Sequence, residues 1–527
     1  MTLSRRRFIG AAGVGATVFA GGAAEATPGT GSPVSGEARA RVVGPADPEY
    51  QSLTLRGYNR RFVAQPSKIF LPASAEETSD AVGRAVAEGL RVAARSGGHC
   101  FDGLVDDART QAIIDMSRMN RVYFDEARQA YSVDAGTELG AMYEQLFRGW
   151  GVTIPAGICL GVGAGGYLSG GGYGPLSRRL GLAADHVYGV EVVTVDATGK
   201  PSVVVATSDG PDADLWWAHT GGGGGNFGVV TRFLLRTHSA APGRPLPEPP
   251  ANMMHARLVV PFAGEESFVR LLDNYLTFFE RNSQPDSRFA GLYAPLHVKP
   301  IAGASDILVL LDADSPDARA CYDEFVAAVS DGVLPPPVVP PLELKSYSDT
   351  VSQVYYAKGA QPPRVKVKAA YLRRTYTSEQ LRTIYRHMTD VRYIGESQLE
   401  FLPFGGAINA RAADATAMPV RDSFMKMLIH AAWRIPAEDE KFLSWARQMY
   451  RDIYAETGGV PVPGDVDGGS YINYPDPDLR DPHWNTSGVP WHAIYFRDNY
   501  PRLQQVKAQW DPHNIFRHPL SIDPPSP

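Results

Sequence analysis

The sequence predicts an α+β fold with two domains, of which the second contains an antiparallel sheet covered by helices. Short β-rich runs alternate with helical runs in residues 68–231, and longer runs alternate in the same way further along the chain. A proline-rich segment, residues 242–250, separates the two parts. At 527 residues the chain is too long for one ordinary hydrophobic core, so two domains are expected.

The predicted elements of the first part are short. Residues 75–89 and 139–150 repeat apolar side chains at helical spacing, and acidic residues near the start of the former favour a helix N-terminus. Four further runs have the composition of strands: residues 91–94, 112–115, 129–134 and 187–195. Short strands, crossover helices and glycine turns together indicate an α+β domain built around a ligand.

The predicted elements of the second part are longer. Four runs have the composition of strands: residues 256–260, 307–311, 365–371 and 425–432. Four others have helical spacing: residues 265–282, 317–330, 378–388 and 438–457. This order fits a sheet covered by helices on one face. The aromatic and asparagine-rich end of the chain is expected to return to the first domain. The predicted domains are therefore residues 48–240 and 241–467, with residues 468–527 as the returning segment.

The N-terminus has the three parts of an export signal. A basic head precedes an uncharged stretch, residues 10–24, and the small residues of Ala24-Glu25-Ala26 offer a cleavage site. Paired arginines in the head are typical of a twin-arginine signal, and an ordinary arginine-rich export signal is the alternative. We expect residues 1–26 to be removed, residues 27–47 to be a flexible leader, and the protein to be secreted through the twin-arginine machinery.

The composition excludes several partners and sites. A net charge of −6 gives no basic field, so nucleic acid is not an expected partner. The uncharged N-terminal stretch is too short and too rich in glycine and alanine to span a membrane. Three cysteines are too few for a disulfide framework, and without CxxC or HExxH spacing no metal site is expected.

Two glycine-rich segments carry most of the functional signal. One reads Arg95-Ser96-Gly97-Gly98-His99, and the other covers residues 155–174 and includes Cys159. Glycine lets the backbone approach a flat, anionic ligand closely and direct amide groups at it. A histidine and a cysteine presented in this way could hold an isoalloxazine ring at two points. The alternatives are a structural, hydrogen-bonding histidine and a small buried cysteine.

Five segments in order resemble the berberine-bridge-enzyme-like flavoproteins of the vanillyl-alcohol oxidase family. They are Arg-Ser-Gly-Gly-His at 95–99, Gly-Ile-Cys-Leu-Gly-Val-Gly at 157–163, Gly-Gly-Gly-Gly-Asn-Phe-Gly-Val-Val-Thr at 222–231, Tyr-Ile-Asn-Tyr at 471–474 and Trp-Asp-Pro-His-Asn-Ile-Phe at 510–516. Within this family the chain is most similar to bacterial oxidases of sugar and polyketide antibiotics. The resemblance implies a two-part FAD-binding domain and a substrate-binding domain.

The resemblance also implies that FAD is bound covalently through both His99 and Cys159. His99 would bond the 8α-methyl carbon and Cys159 would bond C6 of the ring. Two such bonds would let the site stay open to a bulky substrate and would raise the potential of the flavin. The other residues at positions where the family contacts the cofactor are Arg95, Ser96, Gly97, Gly98, Gly161, Gly163, Gly165, Gly166, Asn226, Gly228, Val230 and Asn473.

The resemblance points to Tyr474 as the catalytic base. A free phenol has a pKa near 10, which would have to fall by about two to three units for the phenol to act at neutral pH. Tyr173 matches the position of a second phenol in related oxidases, and a hydrogen bond from it is one way to supply that shift. An ordinary packed aromatic side chain is the alternative for both tyrosines.

One departure from the family pattern narrows the expected chemistry. Some relatives that perform two successive oxidations have a tyrosine where this chain has Phe404, and phenylalanine cannot accept a proton. We therefore expect alcohol oxidation as the main reaction. The side chains expected on the substrate side, with a role as scaffold as the alternative for each, are Phe404, Lys368, Tyr371 and His430.

These inferences predict a secreted FAD-dependent oxidase that converts C–OH to C=O on a small molecule, a glycosylated or polyketide-type secondary metabolite. Because no segment resembles an NAD(P) site or a second redox domain, molecular oxygen is the expected acceptor and hydrogen peroxide the expected product. Two alternatives stay open. One is an extracellular oligosaccharide oxidase that forms aldonolactones, and the other is a flavin-bearing carrier without substrate chemistry.

Overall fold

The computed structural model describes residues 39–237, 244–261, 264–301, 303–357 and 362–525. Residues 38–527 form one compact unit, and the predicted domain bounds within it stay predictions. The predicted export signal lies outside the described residues, as does the predicted leader up to residue 38. In the described ranges, no helix combines the length and apolar character needed to cross a membrane. Nor is any group of three or more His, Cys, Asp or Glu side chains in those ranges placed to hold a metal ion.

The end of the predicted leader is part of the fold, which corrects that prediction for its last residues. Arg41–Val43 forms a strand, β1, that pairs antiparallel with a second strand, β2, at Lys68–Leu71. Val43 is buried at this pairing. Three residues are too few for strand alternation to be visible in the sequence.

The first part of the chain forms two sheets. Its further strands are β3 (Val92–Arg95), β4 (Ala112–Asp115), β5 (Val122–Asp125), β6 (Ala130–Asp134), β7 (Val187–Val195), β8 (Pro201–Thr207) and β9 (Val229–Leu235). Its helices are α1 (Tyr50–Thr54), α2 (Ala75–Ala87), α3 (Leu139–Trp150), α4 (Ala164–Ser169), α5 (Ser177–Leu180) and α6 (Ala213–Ala218). One sheet has the order β1-β2-β4-β3, with β2, β4 and β3 parallel, and the other is antiparallel with the order β5-β6-β9-β7-β8.

The second part of the chain forms one large antiparallel sheet. Its strands are β10 (Asn252–Val260), β11 (Leu292–Tyr293), β12 (Leu296–Val298), β13 (Ser305–Asp312), β14 (Glu343–Ser346), β15 (Arg364–Leu372), β16 (Gln398–Pro403) and β17 (Met425–Trp433). Its helices are α7 (Glu265–Arg281), α8 (Ala318–Ser330), α9 (Tyr347–Gln353), α10 (Ser378–Met388) and α11 (Asp439–Ile453), followed by α12 (Trp491–Phe496) and α13 (Tyr500–Trp510). The strand order is β14-β10-β13-β12-β16-β17-β15, with β11 on β13. The α+β class is confirmed.

The large sheet presents one face to the functional residues. Val367 and Ala369 of β15 and Leu428 of β17 form an apolar cluster, and Phe101 and Tyr474 pack against it. Helix α11 packs on β15 and β17, and side chains that alternate with this cluster point to the opposite face. Strand alternation therefore decides which side chains of β15, β16 and β17 reach the site.

Candidate active site

The first glycine-rich segment begins where β3 ends. Arg95, the last residue of β3, is buried and forms ion pairs with Asp115 at 2.8 Å and Asp106 at 3.1 Å. Its guanidinium also donates a hydrogen bond to the backbone carbonyl of Leu53 at 2.8 Å. Because protein groups engage the guanidinium, the side chain of Arg95 anchors the start of the loop, and its contact with the cofactor stays a prediction.

The two glycine-rich segments meet backbone to backbone. A Cβ atom added to Gly97 would lie 2.8 Å from the carbonyl oxygen of Gly161, and one added to Gly163 would lie 2.9 Å from Cα of Gly97. Any larger residue at either position would push the segments apart. This close packing brings the loop that carries His99 next to the loop that carries Cys159.

A cavity of about 830 Å³ is lined by Arg56 and by residues from the ranges 117–123 and 136–145, and by no residue of the two segments themselves. Its volume lies within the range of about 300–1,000 Å³ that small-molecule and cofactor sites occupy. Arg56, on its lining, donates to the backbone carbonyl of Ser96 at 3.4 Å, so the cavity adjoins the predicted pyrophosphate loop. Gly165 packs against the carbonyl oxygen of Ala135, whereas a Cβ added to Gly166 would meet nothing within 4 Å. The backbone at Gly166 is therefore open to a ligand, which fits the nucleotide arm of FAD.

Tyr58 links the two predicted attachment residues. Its ring stacks on the half-buried imidazole of His99 with centroids 4.9 Å apart. Burial raises the pKa of Tyr58 to about 12, and Cys159 lies near enough to contribute to that shift. Cys159 pairs with Tyr356 through an isolated β-bridge, and the backbone nitrogen of Leu160 donates to the carbonyl of Tyr356 at 2.9 Å. The structure thus brings His99 and Cys159 to one site, as the resemblance implies.

The Cys159 thiol is protonated at neutral pH in the chain without cofactor. The residue is exposed to solvent. Burial, and after it the charge of Glu400, raises the pKa of the thiol to about 12. An accessible thiol fits a residue that forms a bond to a flavin ring.

Lys426 is the main functional residue that the sequence analysis missed. It lies in β17, is buried, and is surrounded by tyrosine rings. Its Nζ is 4.0 Å from the ring centroid of Tyr173, 4.6 Å from that of Tyr471 and 4.7 Å from that of Tyr474. Burial lowers the pKa of Lys426 to about 7. A lysine inside the apolar run Met-Lys-Met-Leu-Ile was the signal that could have found it.

The two predicted catalytic tyrosines lie in this cluster, but the predicted hydrogen bond between them is not the one that forms. The hydroxyl of Tyr173 donates a short hydrogen bond to the backbone carbonyl of Pro403 instead. Burial raises the pKa of Tyr474 well above its ordinary value, and Glu400 is the next cause. A neighbouring cation, Lys426, therefore replaces the second phenol as the group able to stabilise a phenolate at Tyr474.

Asn473 ties the segment of Tyr474 to the second glycine-rich segment. Its amide nitrogen donates to the backbone carbonyl of Tyr167 and to the hydroxyl of Tyr471, both at 3.0 Å. Its side-chain oxygen lies where a Cβ on Gly170 would be, so only glycine fits there. Asn473 therefore positions Tyr474, and its contact with the flavin edge stays a prediction.

The predicted cofactor residues of segment 222–231 are held by the protein. The side chain of Asn226 is buried, donates to the carbonyl of Gly222 at 3.1 Å and accepts from the amide of Ile522 at 3.0 Å. A Cβ added to Gly228 would lie 2.5 Å from the carbonyl oxygen of Val193 in β7. Val230, in β9, is partly buried. The side chain of Asn226 thus ties two backbone segments together, Gly228 packs against a strand, and the contacts of both residues with the cofactor stay predictions.

The four predicted substrate residues divide into three buried side chains and one that is partly open. Phe404 and Tyr371 are fully buried, with ring centroids 4.9 Å apart, and Phe404 lies 5.5 Å from Tyr173. They support the tyrosine cluster from behind, which corrects their placement on the substrate wall. His430 is partly buried, with its ring 5.9 Å from that of Phe101 on the site face of the sheet.

Lys368 is a member of a buried ionic network, which corrects its assignment to the substrate. Its ammonium lies 2.8 Å from Asp476 and 2.8 Å from Asp478. Lys366 lies 2.7 Å from Asp476, and Arg447 of α11 pairs with Asp478 at 2.9 Å. The network fixes the chain that follows Tyr474 against β15 and α11.

Replacing Lys368 by methionine is expected to lower the free energy of unfolding by about 3–5 kcal/mol, because it leaves buried carboxylates short of a cation. Urea denaturation measures this change. The control Lys441→Met removes an exposed cation that pairs with Glu438 at 3.2 Å and should cost less than about 1 kcal/mol. Equal effects of the two substitutions would contradict the role given to the network.

The fold and the site together define a class of protein. An α+β FAD-binding part with two joined glycine-rich loops, and a large antiparallel sheet that presents tyrosines and a lysine, are the features of a flavin-dependent oxidoreductase. Two family models match the chain, an FAD binding domain over residues 66–202 and a berberine and berberine-like domain over residues 470–523.

The relatives then give the family. The chain is 44% identical over 541 residues to the aclacinomycin-N/aclacinomycin-A oxidase of Streptomyces galilaeus, covering 99% of this chain and 98% of that protein. It is 30% identical to the hexose oxidase of Chondrus crispus, covering 90% and 93%. The crystal structure of a glycopeptide hexose oxidase complexed with teicoplanin superposes with a TM-score of 0.89 at 45% identity, covering 92% of this chain and 99% of that one. The chain belongs to the berberine-bridge-enzyme-like family of FAD-dependent oxidoreductases, which confirms the predicted family and enzyme class.

Proposed function

We propose that the protein is an oxidase of a CH–OH group on a glycosylated or polyketide-type secondary metabolite, with hydrogen peroxide as the second product. The observation that carries this proposal is the tyrosine cluster, in which Lys426 faces Tyr173 and Tyr474 next to Cys159. The relatives named for aclacinomycin and crystallised with teicoplanin support the substrate class. When bound, FAD supplies the hydride acceptor and the reaction with oxygen.

The residues of the chain have three roles in the proposed site. His99 and Cys159 hold the flavin through two covalent bonds, and the joined glycine loops leave backbone free beside it. Tyr474 takes the proton of the substrate hydroxyl at its phenolic oxygen. Lys426 stabilises the phenolate form of Tyr474 that accepts this proton, since an ammonium close to a desolvated aromatic ring is worth about 2 kcal/mol.

The test is anaerobic addition of candidate alcohols to the purified yellow protein. Loss of flavin absorbance on addition of a glycoside, followed by peroxide release on admission of oxygen, is the expected result. A protein that no alcohol or sugar bleaches would instead be a flavin-bearing carrier, which contradicts the proposal.

A secreted carbohydrate oxidase is the second candidate, favoured by the 30% identity to a hexose oxidase. It would form an aldonolactone at the anomeric carbon of a free oligosaccharide. Mass spectrometry of the product separates the candidates, because the proposed function gives a ketone, aldehyde or acid on the metabolite.

If two covalent bonds hold the flavin, each single variant should keep the flavin through the remaining bond. Cys159→Ala is expected to keep the flavin through His99 but to lower its potential by on the order of tens of millivolts, where about 30 mV is a tenfold change in the equilibrium constant of a two-electron couple. His99→Ala should keep the flavin through Cys159 and also be reduced more slowly. Potentiometric titration measures both. The control Cys321→Ala changes a buried thiol of α8 and should leave the potential unchanged, whereas a wild-type potential in Cys159→Ala would contradict the assignment.

Export through the twin-arginine machinery predicts that secretion depends on two particular arginines. Replacing both Arg5 and Arg6 by lysine is expected to retain the protein inside the cell, because that machinery reads the arginine pair. Immunodetection in cells and medium measures the outcome, with Arg7→Lys as the matched control. Normal secretion of the double variant would favour an ordinary export signal.

A further inference from the structure

Glu400 is a carboxylate in the site to which the oxidation chemistry gives no task. It lies in β16 opposite Leu428 of β17, two residues along the strand from Leu402, which pairs with Lys426. Strand alternation therefore places Glu400 on the same face as Lys426. The side chain is partly buried.

The surroundings of Glu400 fix its orientation without neutralising it. Gln398 donates from its amide nitrogen to a carboxylate oxygen of Glu400 at 2.6 Å. The ammonium of Lys299 donates to the other end of the same amide, which turns the amide nitrogen toward Glu400. Across the part of the chain that the structure describes, no cationic side chain lies within 4.0 Å of Glu400. Glu400 is thus held in place by a neutral donor.

The basic groups nearest in the site compensate the charge of Glu400 only in part. Burial lowers the pKa of His430 below its ordinary value, so the imidazole is neutral at pH 7. Burial lowers the pKa of Lys426 to about 7 against the attraction of Glu400, so the ammonium is only partly charged, and it is directed at the rings of the tyrosine cluster. The other titratable groups that the charge of Glu400 reaches are acids: Tyr58, Cys159, Tyr293, Tyr356 and Tyr474.

A carboxylate that is compensated only in part works against the chemistry of this site. Its charge raises the pKa of Tyr474, the group that has to carry a negative charge, and that of Cys159. A neutral sugar hydroxyl that bonds to Glu400 would leave this opposition in place. A cation brought by the substrate would neutralise the carboxylate and remove the opposition at the moment of reaction.

We propose that Glu400 is a specificity-determining residue that binds an ammonium group of the substrate, so that the substrate is an amine-bearing sugar or a glycoside of one. This inference rests on the proposed function and narrows its substrate class. Gln398 and Lys299 position the carboxylate for this contact, on the same face of the sheet as Lys426. The contact forms no covalent bond and transfers no electrons.

The test compares three probes on the flavin-loaded protein: the methyl glycosides of glucosamine, N-acetylglucosamine and glucose. Perturbation of the flavin spectrum under anaerobic conditions gives the dissociation constant of each. The wild type is expected to bind the glucosaminide at least about tenfold more tightly than the two neutral glycosides. Glu400→Gln should lose this preference. The control Glu396→Gln removes an exposed carboxylate that pairs with Arg434 at 2.9 Å and should keep it.

Each outcome decides the inference. Equal binding of the three probes to the wild type, no binding of the glucosaminide, or an unchanged preference in Glu400→Gln would overturn it. Reduction of the flavin by neutral glycosides without a preference for the amine would overturn the inference and leave the proposed function intact. Tight binding of the glucosaminide to a protein whose flavin no alcohol reduces would support the contact with the ammonium group and overturn the proposed function.

Discussion

Replacing Tyr474 by phenylalanine is expected to reduce the rate constant of flavin reduction by about 10²–10⁴-fold, the usual contribution of a positioned general base. The flavin should stay attached, because His99 and Cys159 are unchanged. The substitution removes the phenolic oxygen that takes the substrate proton but keeps the ring that packs against Phe101 and faces Lys426. Anaerobic stopped-flow absorbance with a reducing alcohol measures the change.

A matched control separates loss of the base from loss of a buried hydroxyl. Tyr376 is buried, and its hydroxyl forms a hydrogen bond with that of Tyr454. Tyr376→Phe should cost stability of about 1 kcal/mol but leave the reduction rate unchanged. Reduction of the Tyr474→Phe flavin at the wild-type rate would remove Tyr474 from the role of base.

Replacing Lys426 by methionine is expected to change the pH dependence of flavin reduction. The reactive arrangement, a charged Lys426 beside a Tyr474 phenolate, carries the same number of protons as neutral Lys426 beside neutral Tyr474. The pair therefore loses its first proton with an apparent pKa of about 7, and the wild-type rate rises with pH to a plateau above that value. Without the cation, only the phenol titrates, and burial raises its pKa well above the ordinary value.

The Lys426→Met rate should consequently be lower by about 10²-fold or more at pH 7 and still rise at the highest pH tested. Stopped-flow reduction across pH 6–10 measures the profile. Lys426→Arg keeps a cation that does not titrate in this range, so it should restore part of the rate without the step near pH 7. A Lys426→Met profile that matches the wild type would show that the ammonium has no part in proton removal.

The sequence was sufficient to predict elements with a clear periodic pattern of apolar residues and sites marked by a local motif. The predicted helix at 378–388 and strand at 187–195 have the observed bounds, because each has a clear apolar pattern within one segment. His99 and Cys159 were found because glycine-rich motifs are contiguous. β16 was not predicted, since its apolar residues lie next to the motif around Phe404 and have no turn signal of their own.

The role of a residue could not be predicted from the sequence where it depends on pairing between strands. Lys368 and Lys426 are both lysines in apolar strands, and nothing local distinguishes them. The register pairs Lys426 with Tyr371 on the site face, while Lys368 alternates to the other face and meets Asp476 and Asp478. The pairing of β17 with β15 and β16, which forms only in the folded sheet, therefore sets the roles of the two lysines.

The central claim is that one imidazole and one thiol hold the flavin covalently at the tyrosine cluster. Acid precipitation of the purified protein, followed by peptide mapping by mass spectrometry, tests it most directly. The account predicts a yellow precipitate in which one flavin joins the peptide of His99 to the peptide of Cys159. A colourless precipitate, with all of the flavin in the supernatant, would contradict it.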